Sequence, residues 1–134
     1  MFTVSINDVE SAVREKSDAQ LLSISNSVKA EYEADSTISL TVLAEKYNVV
    51  EINIIGTDFK VQSSTEASNE GYDMNLSEQS KEFVDTVKVQ SSFVQEYSRR
   101  GKDDSVWRKY AAVNLTSGGF IQVGYDPEQF HEML

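Results

Sequence analysis

The sequence has no cysteine, one histidine and one proline in 134 residues. Without cysteine there is no disulfide, no thiolate nucleophile and no cysteine-held metal cluster. With His131 alone, a histidine-based catalytic machine and a multi-histidine metal site are excluded. Basic residues are scarce too: 12 Lys and Arg stand against 22 Asp and Glu, for a net charge of −10. That balance argues against a nucleic-acid partner, whose phosphates need a broad basic surface. It also argues against a peripheral anchor on anionic lipid. No run of about 18 apolar residues is present, so no segment of this sequence spans a bilayer. Met1-Phe2-Thr3-Val4 lacks the basic and apolar regions of a signal peptide. Glycines number six, and no Gly-rich phosphate loop, nucleophile elbow, metal signature or cofactor motif is formed by them.

What is present is a globular composition, 40% hydrophobic and 25% charged, of a length that suits one domain. The first third reads as helix. Ile6, Val9, Val13, Leu21, Ile24, Val28 and Tyr32 recur at a spacing of about 3.5, with Ser17 and Gln20 as polar gaps, and Ser5 with Asp8 reads as a capping box. So thin a stripe suits packing on one neighbour or on a second copy. After Asp35-Ser36-Thr37, the set Leu40, Leu43, Ala44 and Tyr47 marks a second helix, with Asn48 as its left-handed cap.

The period then changes to two. Val49 to Ile55 and Phe59 to Gln62 read as a hairpin around Gly56-Thr57-Asp58. Residues 63–73 are polar and irregular. Asn75 with Glu78 reads as a capping box for a helix whose apolar face is Phe83, Val84 and Val87. Strands follow at Phe93 to Tyr97, Val106 to Leu115 and Phe120 to Tyr125, and Asp126-Pro127 starts a last helix. Short turns make neighbouring strands antiparallel. The expected fold is α+β: an antiparallel sheet with a long N-terminal helix on one face. The N-terminal helix covers 1–34, a core 36–126, and the beginning of a C-terminal helix 127–134.

Sorting strand residues by parity separates two faces. One collects Val50, Ile52, Ile54, Val94, Ala111, Val113, Ile121 and Val123, an apolar set that should receive the long helix. The other collects Glu51, Asn53, Ile55, Phe93, Gln95, Tyr97, Arg108, Tyr110, Ala112, Phe120 and Gln122. Aromatics mixed with amides and an arginine fit either a polar ligand pocket or a sheet face wetted by solvent. The 63–76 segment, with Gly71-Tyr72-Asp73, reads as a lid over that face or as a surface loop. Arg99, Arg100, Lys102, Arg108 and Lys109 form a local reversal of charge. The first three read as a solvated turn balanced by Asp103 and Asp104. Arg108 shares the parity of Tyr110 and reads as a donor to an anionic group. Trp107, of opposite parity, reads as structural, and His131 as an exposed helix residue.

The segments Val50-Glu51-Ile52-Asn53-Ile54-Ile55-Gly56, Phe59 to Ser64, Gly71-Tyr72-Asp73-Met74 with Ser77 to Phe83, Lys109 to Val113, and Gly118 to Asp126 carry a resemblance. In this order they resemble the extracytoplasmic Cache (PAS-like) sensor domains of bacterial membrane receptors. The resemblance implies a PAS-like five-stranded sheet, a helix rising from one membrane span and a last helix returning to a second span in the parent protein. It also implies a signalling output such as a protein phosphatase or a histidine kinase. The patterns by which double Cache receptors bind amino acids and citrate-type sensors bind carboxylates have no match at these positions. A pocket location is therefore implied and a ligand class is not.

The functional expectation is a sensor that binds a small molecule through Tyr72, Gln95, Tyr97, Arg108, Tyr110 and Gln122, without cofactor or metal. A ligand-free dimerisation module acting through the N-terminal helix is the alternative, tested by charging Val13, Ile24 or Val28. An enzyme is disfavoured, because no usable histidine, no cysteine and no convincing carboxylate pair is available.

Overall fold

A computed structural model describes the backbone of residues 6–95, 98–100 and 103–126, and the side chains of 17–95 and 108–126. The chain runs α1 (Ile6–Ala34), α2 (Leu40–Tyr47), β1 (Glu51–Ile55), β2 (Val61–Ser64), a 3-10 turn (Ala67–Asn69), α3 (Glu78–Val87), β3 (Ser92–Val94), β4 (Ser98–Arg100), β5 (Asp103–Asn114) and β6 (Phe120–Tyr125). The fold is α+β, as expected. The five strands β2-β1-β6-β5-β3 form an antiparallel sheet in that order, and β4 pairs with the outer end of β5.

Every residue of β1 and β6 is buried, because both faces of the sheet are covered. On one face lie α1 and α2. Leu21, Val28, Leu43, Ile52, Ile54, Ala111, Val113, Ile121 and Val123 form a continuous core there. The polar gap at Ser17 has a purpose: its hydroxyl is buried against the Tyr125 hydroxyl at 3.2 Å. The next residue, Asp18, pairs at 2.6 Å with Lys109, whose side chain is 1% exposed. Lys109 and Tyr125 are cross-strand partners, so one row of the sheet receives two successive residues of α1. Leu21, Ile24, Val28 and Tyr32 all pack on this chain's own sheet.

Helix boundaries follow local chemistry. Ser39 caps α2, and Asn48 ends it in the left-handed conformation, at φ 56° and ψ 43°. The cap of α3 differs from expectation. It is Ser77, whose Oγ accepts from the Ser80 N–H at 3.2 Å. Asn75 is drawn instead into a turn, its N–H donating to Asp73 at 2.9 Å. The expected strand over 93–97 is also shorter. It ends at Val94, residues 98–100 pair separately with β5, and β5 starts at Asp103. The readings at Ser5, Val13, Tyr97, Trp107, Arg99, Arg100 and Lys102 side chains, the helix from Pro127 and His131 lie outside what is described.

On the second face α3 packs over β3 and β5, joined by the segment that follows β2. Ile55, Val61, Met74, Phe83, Val84, Val87, Tyr110, Ala112 and Phe120 make a second core. Phe83 meets Phe93 and Tyr110 edge to face at 5.3 and 6.3 Å.

Candidate functional site

The second face is not filled throughout. Between sheet and α3 lies a cavity of about 160 Å³ lined by polar and aromatic side chains. Its floor is two cross-strand rows. In the first, Gly124 of β6 pairs with Tyr110 on one side and Glu51 on the other. Gly124 lets the Tyr110 ring lie against its backbone, since a Cβ there would meet the ring at 2.5 Å. Tyrosine therefore reaches across β6, and its hydroxyl donates to both Glu51 carboxylate oxygens at 3.3 Å.

In the second row Gln122 pairs with Ala112 and Asn53, and Asn53 with Ser64. Asn53 Nδ2 donates to Glu51 Oε2 at 2.8 Å and to Gln122 Oε1 at 2.9 Å. Ser64 Oγ donates to Asn53 Oδ1 at 2.5 Å. The two rows are thus one hydrogen-bonded network, and Glu51, Asn53 and Gln122 are at most 6% exposed. Burial makes that network obligatory, because a polar group removed from water without partners is costly.

The walls come from α3 and the segment before it. Ser77, Gln79, Ser80 and Phe83 stand on one side; Val61, Asn69, Tyr72 and Met74 on the other. The segment is fastened to β2 by backbone bonds. Val61 N–H donates to the Tyr72 carbonyl at 2.9 Å, Gly71 N–H to Val61 at 2.8 Å, and Met74 N–H to Phe59 at 2.9 Å. Ser80 Oγ closes the seam by donating to the Met74 carbonyl at 2.6 Å, with the Tyr72 hydroxyl 3.4 Å away. Below the seam, the Asn75 N–H beside Asp73 holds that carboxyl under the usual carboxylate range.

Three residues expected at a ligand site, Tyr72, Tyr110 and Gln122, lie together on this cavity. Two do not. Gln95 is buried, but its Nε2 donates to the Gln79 carbonyl at 3.0 Å and to Glu82 Oε1 at 2.9 Å, tying α3 to the sheet edge. Arg108 shares the face of Tyr110 but sits one row beyond the cavity floor. The pairing of β5 with β6 ends at Lys109 and Tyr125, and the backbone partner of Arg108 is Ser98 on β4. Tyr97 lies outside the described residues. Parity alone put Glu51 and Asn53 on this face. Ser77, Gln79 and Ser80 carry no strand parity, and the sequence pointed to Asn75 rather than Ser77 as the cap of α3. Among the described residues no group of three or more His, Asp or Glu side chains is gathered to hold a metal. No described helix is long and apolar enough to cross a membrane.

No protein-family model matches the chain, and no curated protein matches it. Similar folds occur among solved structures. One is the Bacillus subtilis YkuI protein, which has an EAL domain and was solved with c-di-GMP and calcium. It aligns at TM-score 0.68 and 6% identity over 90% of this chain and 34% of that one. An extracellular ligand binding receptor from Desulfohalobium retbaense aligns at TM-score 0.55 and 11% identity, over 91% of this chain and 24% of the receptor. A periplasmic sensor domain of a chemotaxis protein aligns at TM-score 0.47 and 14% identity, over 93% and 99%. The chain thus spans about a third of the first protein and a quarter of the second. At these identities the likeness is one of fold.

Proposed function

We propose that the chain is a ligand-sensing domain, working on the extracytoplasmic side of a membrane-anchored signalling protein with a phosphatase or histidine kinase output. The observation that carries this reading is the cavity: a buried polar network walled by α3 and the segment before it, in a fold where sheet and helices meet on both faces. A cavity with a few convergent polar groups and aromatic walls is the usual form of a small-molecule site. The fold likeness to an extracellular ligand binding receptor supports the sensing part. The resemblance to Cache domains supports the extracytoplasmic setting and the output.

Tyr72, Tyr110 and Gln122 contact the ligand in this reading, joined by Glu51, Asn53 and Ser80. Gln95 positions α3, which carries one wall. Response to the ligand comes from the alternation of β5. Tyr110 faces the cavity while its neighbour Lys109 faces α1 and holds Asp18. A ligand that favours one packing of α3 and sheet then shifts the seating of α1 on the same strand.

The test is a thermal-shift screen of the purified chain against amino acids, carboxylates, sugars, nucleobases and amines. A ligand at 100 times its Kd adds about 2.7 kcal/mol. For a domain of this size that is a Tm rise on the order of ten degrees. A rise abolished by Tyr110→Ala supports the sensing reading. A flat response, with a Tm that climbs with protein concentration, overturns it in favour of a dimerisation module. That module would have to use α1 elsewhere than Leu21, Ile24, Val28 and Tyr32, which the sheet occupies.

A further inference from the structure

We infer that the β1–β2 turn is a latch on the strap at 65–76, and that a turn of Phe59 out of the left-handed region opens the mouth of the cavity. This inference rests on the sensing reading and names the regulation of that same site. The first ground is where the mouth lies. The cavity floor is at most 6% exposed, and so are Val61, Met74 and Phe83 of its walls. The half-buried residues of the described lining are Asn69 and Tyr72 on the strap, and Ser77, Gln79 and Ser80 at the start of α3. The way in from solvent therefore runs between these two segments. The seam there is narrow. Ser80 Oγ donates to the Met74 carbonyl at 2.6 Å, and the Tyr72 hydroxyl stands 3.4 Å from it.

The second ground is the backbone of Phe59, whose φ is 63°. The Phe59 N–H donates to the Gly56 carbonyl and the Gly56 N–H to the Lys60 carbonyl, both at 3.0 Å, and the pairing of β1 with β2 is irregular beside this turn. A left-handed residue after such a turn is ordinarily glycine. For a large aromatic residue the conformation is an outlier that its surroundings must hold, and such outliers gather at clamps and switches. Two contacts hold this one. The Phe59 carbonyl accepts from the Met74 N–H at 2.9 Å. The ring packs on the second core, with Lys88 Nζ 5.3 Å from its centroid.

The third ground is that latch and seam meet at one residue. Met74 gives its N–H to Phe59 and its carbonyl to Ser80. Ser80 lies in the first turn of α3 and Lys88 caps its last, so strap and turn together grip that helix at both ends. Gly71, at φ 85° with open space where a Cβ would stand, gives the strap a pivot. When Phe59 relaxes, the Met74 N–H loses its acceptor, the ring leaves Lys88, and the strap swings away from α3. A ligand seated between Tyr72 and α3 favours the closed strap and keeps Phe59 in its strained form.

The experiment is native-state amide hydrogen exchange, read by NMR on the full chain with no ligand added. The amides of Val61, Gly71 and Met74 fasten the strap. They should exchange together, about tenfold or more faster than those of β6, which is paired on both sides. Phe59→Gly and Phe59→Ala both lose the ring, and only glycine takes the left-handed backbone without cost. Met74 should therefore exchange about five- to thirtyfold more slowly in Phe59→Gly than in Phe59→Ala. Lys88 is exposed, and Lys88→Gln should speed Met74 exchange about two- to fivefold by freeing the ring. If Phe59→Ala fails to fold, this variant decides the part of Phe59. Strap amides as slow as those of β6 overturn the latch. So do equal Met74 rates in the two Phe59 variants, or a Met74 rate unchanged in Lys88→Gln. The sensing reading is decided separately, by the thermal-shift screen.

Discussion

The two faces of the sheet are covered to a similar degree, yet they are built differently. Under α1 the inward residues are mostly aliphatic, joined by the Ser17–Tyr125 and Asp18–Lys109 contacts. Under α3 an apolar core around Phe83, Ile55 and Phe120 adjoins a cavity floored by Glu51, Asn53, Tyr110 and Gln122. The difference shows that burial alone does not mark a core. What separates the faces is whether the inward atoms need each other as partners. The aliphatic face gains from area removed from water, which has no direction. The polar face is held by directed bonds among its own members, and it keeps a shape that close packing would have erased.

The comparison breaks most visibly where the filled face is emptied. Ile54 is 1% exposed and lies in the row with Ile121, under the helices. Ile54→Ala should cost about 2–5 kcal/mol in urea unfolding, the range for a buried aliphatic truncation. Amide shifts at Glu51 and Gln122 should stay nearly in place. A variant that instead unfolds no more easily than the wild type would mean that the α1 face does not dominate stability.

A smaller effect comes from filling the other face. Gly124→Ala puts a methyl group 2.5 Å from the Tyr110 ring. The ring must leave its place across β6, and its bonds to Glu51 go with it. The expected stability loss is about 1–3 kcal/mol, as for other overpacked sites. The sharper readout is binding. Whatever ligand the screen finds should lose affinity by a larger factor than the change in stability accounts for. Equal affinity in the variant would show that Tyr110 does not shape the site.

This glycine also marks how far the sequence could be read. Alternation placed the described residues of β1, β3, β5 and β6 on their faces, because period two survives an error in where a strand ends. The left-handed end of α2 was legible in Asn48, a residue that tolerates that conformation. Register was not. Which residue of β1 stands opposite which residue of β6 depends on the whole sheet, so the Tyr110–Gly124–Glu51 row carried no signal in the chain. Arg108 shows the same gap from the other side: its parity was right, but its row lies past the end of the β6 pairing. The walls from Ser77 to Ser80 were hidden for another reason. Polar residues at the start of a helix read first as caps, and the cap is Ser77 rather than the expected Asn75, so a second use of these residues is not visible beside the first.

The smallest effect tests how α1 is fastened at its C-terminal end, on the filled face. Glu33 accepts from the Thr116 N–H and hydroxyl, at 3.1 and 2.8 Å, across to the β5–β6 turn. Glu31 accepts from the Tyr47 hydroxyl and from Lys46 on α2. The Thr116 N–H, then its hydroxyl, hold the Glu33 carboxyl below the usual range; the Tyr47 hydroxyl, then Lys46, do the same for Glu31. A depressed carboxyl pKa in the folded state contributes stability above the unfolded value and loses it as pH falls through the folded one. The loss therefore belongs to the acid side, below the ordinary glutamate value of 4.5. Tm should hold near neutral pH and decline as pH falls below that value. Glu33→Gln should lower Tm slightly at pH 7 and flatten the acid decline. Both carboxyls are reached by solvent, which screens what they contribute to stability. Salt separates them. Lys46 stands 2.9 Å from Glu31, whereas the cation beside Glu33, Lys29, is 3.9 Å away and the Thr116 contacts carry no charge. Added salt should therefore weaken the Glu31 share more than it narrows the difference between wild type and Glu33→Gln. An acid decline that is identical in the two proteins would show that the turn at Thr116 does not hold the helix.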